Sequence, residues 1–107
     1  MNLEELLSNT NSNSIYLFDK QGNTIEFYHK EGHQTKENII PFGATVFNMT
    51  QHYFNDFLKS ELSNLIIRSN KEQLVLVKYH NDILCFSSNK NINIGVLDIS
   101  LRKEFNK

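Results

Sequence analysis

The chain has 107 residues, with 11 basic and 12 acidic side chains and a formal net charge of −1 when histidine is neutral. That length suits one domain, expected to span 1–107, with a real but modest core. The absence of a basic stripe and of a long apolar run argues against nucleic acid and against membrane insertion. The acidic start MNLEELL lacks the basic and apolar regions of a signal peptide, so a cytoplasmic protein is expected.

Leu3, Leu6 and Leu7 follow i, i+3, i+4 spacing and predict a short helix over Asn2–Ser8. The tract SNTNSNS, residues 8–14, favours turns and caps, because these side chains compete for backbone hydrogen bonds. Ser14–Lys20 reads as a strand, Asp19–Asn23 as a turn around Gly22, and Thr24–Lys30 as the returning strand with Ile25, Phe27 and His29 on one face. Glu31–Asn38 is a polar loop, and Ile39 and Ile40 lead into the next element.

That element, from about Pro41 to Ser60, is the one long helix. Pro41 fits a first helical turn, where its missing N–H costs nothing. On a wheel of ~100° per residue, its apolar side chains cover roughly 180°, against ~100° for an ordinary amphipathic helix. The middle of the arc holds Val46, Thr50 and Phe57. One flank carries Phe42, Met49 and Tyr53, and the other carries Phe47, Phe54 and Leu58. The middle can lie on a sheet of the same chain, which leaves at least one flank for a partner, unless loops or a terminal helix cover both flanks.

Beyond the helix, Asn64–Ser69 is a strand candidate. Glu72–His80 is a near-continuous apolar run that fits a strand buried on both faces. Asn81-Asp82 turns the chain into a last strand, Asp82–Ser87. Ile94, Leu97, Leu101 and Phe105 recur at helical spacing and predict a C-terminal helix, although β-branched Ile92, Val96 and Ile99 also allow a strand start. The result is α+β: a five-stranded antiparallel sheet with one long central helix across a face and short terminal helices.

Three segments together resemble the roadblock/LC7 family. FDKQGNTI (18–25) is similar to its Asp-x-x-Gly turn, LVLVKYHNDILCFSSN (74–89) to its last hairpin, and INIGVLDISLRKEF (92–105) to the start of its final helix, with Gly95 at the glycine position. The likeness runs from about Leu3 to Phe105. It implies a dimeric module in which long helices pack together and middle strands join, acting as partner, scaffold or regulator of small Ras-like GTPases or as a dynein adaptor. On this chain it implies a homodimer interface drawn from Phe47, Phe54, Leu58, Leu65, Ile66, Ile67 and Arg68. Profilin-like and longin-like layouts are alternatives, with a structural or ligand-sensing role and no GTPase.

No chemistry of a cofactor or an enzyme is expected. Gly22, Gly32, Gly43 and Gly95 are too scattered for a phosphate loop, so a GTPase partner would bring its own nucleotide. Arg68 and Arg102 are the only arginines that could serve as a finger, and each reads as a surface or ion-pair residue. His29, His33, Glu31 and Glu37 lack the helical spacing of a metal site, and His52 and His80 stand apart from them. Cys85, the sole cysteine, lies between Leu84 and Phe86 as a small hydrophobe. A histidine or Cys85 enzyme is the weakest of the three function classes. Asn48-Met49-Thr50 matches a glycosylation sequon by chance, given its helical position.

Overall fold

The computed structural model describes residues 2–32 and 38–105. In chain order the elements are α1 (Leu3–Thr10), β1 (Ser14–Phe18), β2 (Thr24–His29), α2 (Ile39–Phe57), β3 (Asn64–Arg68), β4 (Gln73–Tyr79), β5 (Asp82–Ser88) and α3 (Ile94–Phe105). The strands form one antiparallel sheet in the order β2-β1-β5-β4-β3. The α+β expectation holds, and the ambiguous C-terminal segment is a helix from Ile94 onward.

The sheet divides the core in two. On one face Tyr16, Phe18, Leu76, Ile83 and Cys85 meet Ile39, Ile40, Ala44 and Phe47 of α2. On the other, Ile15, Leu17, Val75, Val77, Leu84 and Phe86 meet α1 and α3 through Leu3, Leu6, Leu7, Leu97 and Leu101. Period-two alternation assigns successive strand residues to opposite faces, which is why β1, β4 and β5 read as continuous apolar runs. The Asn/Ser tract stitches the terminal helices together. Asn11 takes a left-handed φ of 63° to end α1, the Thr10 carbonyl accepts from Asn93 N–H, and the Asn11 side chain donates to the Asn91 carbonyl.

The β1–β2 turn is closed by its own aspartate. Asp19 Oδ1 accepts from the N–H groups of Asn23 and Gln21, at 2.8 and 3.0 Å, and Gly22 supplies the positive φ. The Asn23 N–H bond, ahead of the other contacts, holds the Asp19 carboxyl below the ordinary aspartate value.

The orientation of α2 differs from the one its large apolar residues suggest. The wheel puts Val46, Thr50 and Phe57 toward the sheet. In the fold, the buried face is Ile39, Ile40, Gly43, Ala44 and Phe47, roughly 80° further round at ~100° per residue. Phe57 is instead 76% exposed. Small residues explain the difference. Gly43 lies against the sheet so closely that an added Cβ would sit 3.0 Å from Leu76 Cδ2 and 3.1 Å from Phe18 Cζ. A bulky face could not approach so far, so the glycine and alanine side of the helix goes inward and the aromatic flank goes out. The helix also begins earlier than expected, at Ile39, and its last turn closes at Leu58 with Lys59 at φ 53°.

Substituting Gly43→Val should therefore crowd Leu76 and Phe18 and destabilise the fold by about 1–3 kcal/mol. A lowered urea midpoint with an unchanged m-value would register it, and an unaltered midpoint would contradict the close approach.

Candidate functional site

Two uncovered surfaces stand out. The first is a stripe on α2. Phe42, Met49, Tyr53 and Phe57 are all exposed, Met49 at 68% and Phe57 at 76%. They recur at i, i+4 and i+7 spacing, so they lie on one side of the helix. Tyr53 lies against Phe57 in a tilted arrangement, 5.5 Å between ring centroids, and meets Phe54 edge-on at 5.7 Å. The opposite flank is polar and tethered: Asn48 donates to the Lys20 carbonyl at 2.8 Å, fixing the helix against the β1–β2 turn. The stripe thus points away from that turn.

The second is the pair of sheet edges. β3 and β2 are the outer strands, so each has one row of backbone groups with no ladder partner within this sheet. In β3, Leu65 and Ile67 pack half-buried beneath the α2 side, while Ile66 and Arg68 are exposed on the other face. All six residues of β2 are exposed, Ile25 and Phe27 among them.

The expected interface residues divide accordingly. Leu58, Ile66 and Arg68 are exposed; Phe54, Leu65 and Ile67 are half-buried. Phe47 is the exception. At 1% exposure it is a core residue packed against the sheet, and no partner can reach it in the folded chain. Its place on the stripe is taken by Phe42, Met49, Tyr53 and Phe57, the flank whose outward position only the Gly43 contact decides.

Solved structures share this arrangement of sheet and helices. A Roadblock/LC7 domain from Streptomyces avermitilis matches with a TM-score of 0.78, over 94% of this chain and 85% of that one, at 9% identity. The chain has a roadblock/LC7-like fold. Myxococcus xanthus MglB matches with a TM-score of 0.77 over 92% and 81%, at 15% identity, and a structure described as MglB with tetrameric arrangement with 0.79 over 94% and 77%, at 13% identity. No protein-family model and no curated protein matches the sequence.

Within this roadblock/LC7-like fold the described histidines lie on separate elements. His29 ends β2, stacked 6.0 Å from Phe27; His52 lies on exposed α2 surface 3.6 Å from Asp56; His80 occupies the β4–β5 turn. His33 and Glu37 lie outside the described residues. Among the described residues no group of three or more histidines, cysteines or acids is placed to hold a metal ion, and no helix is long and apolar enough to cross a membrane.

Cys85 is fully buried between Tyr16 and Leu76 on the α2 face, and loss of hydration pushes its thiol up to about 12 from 9.0. The thiolate, which is the nucleophile, is therefore vanishingly rare near neutrality. The raised value also means that stability is complete below about pH 9 and declines as pH rises toward 12, since only the unfolded chain releases the proton readily. Native protein at pH 8 should resist iodoacetamide and become labelled in step with unfolding in denaturant. Stoichiometric labelling of the folded chain would overturn the assignment of Cys85 as a core residue.

Proposed function

We propose that this chain is a single-domain, non-enzymatic binding module of the cytoplasm that forms a homodimer and acts as partner, scaffold or regulator of a small Ras-like GTPase. The observation that carries the dimer is the exposed stripe Phe42, Met49, Tyr53 and Phe57 on a helix followed directly by an edge strand, β3. Isolated surface aromatics are ordinary, but a contiguous row with rings in contact is a feature of interfaces.

An isologous contact would cover the same stripe on both chains and let β3 pair with its copy. Full burial of one large apolar side chain is worth ~1.5–3 kcal/mol. Covering the stripe twice over is therefore comparable with the roughly 4–15 kcal/mol that association costs. Leu58 and Ile66 extend the proposed contact, and Arg68 sits at its margin. The GTPase partner rests on the resemblance of sequence and fold to roadblock/LC7 proteins. The sequence carries no Gly-rich phosphate loop, so the nucleotide would come with the partner.

Sedimentation tests the dimer. The wild-type chain should behave as a dimer at micromolar concentration, and Tyr53→Ser with Phe57→Ser should shift it to monomer. Both positions are exposed, so the variant should retain its far-ultraviolet spectrum. Phe47→Ala, by contrast, should cost about 3–5 kcal/mol of stability through a core cavity. A wild-type monomer at high concentration would count against the dimer. Calorimetric titration with a Ras-like GTPase of the same cell, loaded with GTP analogue or GDP, tests the partner: binding that depends on the nucleotide supports it, and no binding in either state removes it.

A further inference from the structure

The outer strand β2 lies beyond the reach of α2. Gly43 seats the helix over Phe18 of β1 and Leu76 of β4, and all six residues of β2 remain exposed. Phe27 pairs with Tyr16 and so shares its α2-side face, yet Phe27 is 49% exposed where Tyr16 is buried. Ile25, at the register shift between Leu17 and Phe18, is also exposed.

The backbone of this edge is open as well. Lys30 N–H donates to the Asn13 carbonyl at 2.8 Å. In an antiparallel pair, alternate residues turn their N–H and C=O groups to the same side. Glu26, Tyr28 and Lys30 therefore face β1, and Phe27 and His29 direct theirs outward, where they meet no partner among the described residues.

The opposite face of β2 is acidic. Glu26 and Tyr28 lie across from Leu17 and Ile15, on the side covered by α1. Glu4 of α1 stands close to Tyr28. A pocket of about 340 Å³ at this rim is lined by Glu4, Tyr28, Lys30 and Glu31, so that with Glu26 the carboxylates along this side outnumber the Lys30 ammonium.

We propose that β2 accepts an extended segment of another protein in which lysine or arginine alternates with aliphatic residues. The segment adds a strand to the rim of the sheet and bonds to the outward backbone groups of Phe27 and His29. Its period-two alternation puts aliphatic side chains against Phe27 and basic ones against Glu26 and Glu4. Charge decides between this occupant and a second copy of the chain. Two β2 edges in register would bring Glu4, Glu26 and Glu31 of one chain against the same carboxylates of the other, and like charges across a strand pair repel. The rim is the one opposite β3, so the proposal is independent of the dimer contact proposed there.

The test is hydrogen exchange of the isotopically labelled full chain, read by amide NMR, with the peptide acetyl-Lys-Val-Lys-Val-Lys-Val-amide. In the free chain the N–H groups of Phe27 and His29 should exchange faster than those of Tyr28 and Lys30, and the peptide should slow the first pair selectively. Glu4→Gln with Glu26→Gln, both exposed, should weaken binding about tenfold or more and flatten its salt dependence. His29→Pro removes an outward N–H, at a position where an edge strand tolerates proline, and should abolish binding with thermal stability retained. The isomeric peptide acetyl-Lys-Lys-Lys-Val-Val-Val-amide should bind about tenfold more weakly or less. Equal binding of the two peptides, or protection that leaves Phe27 and His29 unchanged, would overturn strand addition. No binding of the alternating peptide at millimolar concentration would overturn the site. A wild-type assembly that His29→Pro breaks into smaller species in sedimentation would show that the edge takes a second copy, and would overturn the basic partner.

Discussion

The approach of α2 to the sheet at Gly43 sets the arrangement of everything on that face. With no Cβ at this position, the helix backbone settles over Leu76 of β4 and Phe18 of β1, which brackets the central strand β5. Ala44 and Phe47 then complete the seam, and Asn48 locks the far flank to the Lys20 carbonyl. A helix fixed at these points has no freedom to roll. Its aromatic flank must face solvent or a partner, whatever the large side chains would gain from the sheet. The module therefore exposes apolar surface because its core is well packed.

The sheet has the same character. β1, β5 and β4 are buried on both faces and carry the core, whereas β2 and β3 are left at the rims. Edge strands with apolar side chains are a hazard unless covered, charged or paired. β3 places Arg68 at its end and follows α2 through a short connection, so the rim and the helix stripe belong to consecutive segments of chain. β2 is guarded differently, by Glu26 within the strand and by Tyr28, which lies close to the Glu4 carboxylate of α1.

The polar chemistry follows from this separation of edge and core. Cys85 sits deepest in the sheet and is silenced by burial, while the described histidines lie on separate rims. Gln73, an amide at the start of a core strand, bridges β4 to the segment before α3 through Ile92 N–H, and its other end, Nε2, is buried without a hydrogen-bond partner. It is a polar side chain where the sheet changes from core to turn, among cations contributed by three different positions in the chain.

Much of this was legible in the sequence. Local periodicity and turn chemistry identified every strand and helix to within a few residues: the leucines of α1, the Asp19 and Gly22 turn, and the apolar run of β4 each carry their signal in a short window. Burial of Cys85 was readable from its neighbours, and the surplus of apolar surface on the long helix from its wheel. Which side of that helix carried the surplus was not. Large residues mark hydrophobic surface, but contact distance is set by small ones, and the effect of Gly43 depends on Leu76 and Phe18, which lie far from it in sequence. For the same reason Phe47 read as an interface residue and proved to be core. Gln73 gave no signal at all, since its significance comes from Arg68, Ser88, Lys90 and Ile92 being brought around it by strand pairing and by the turn into α3. Sequence determines which elements form because their forces act between near neighbours; only the tertiary structure decides which faces meet, because that is settled by shape across the sheet.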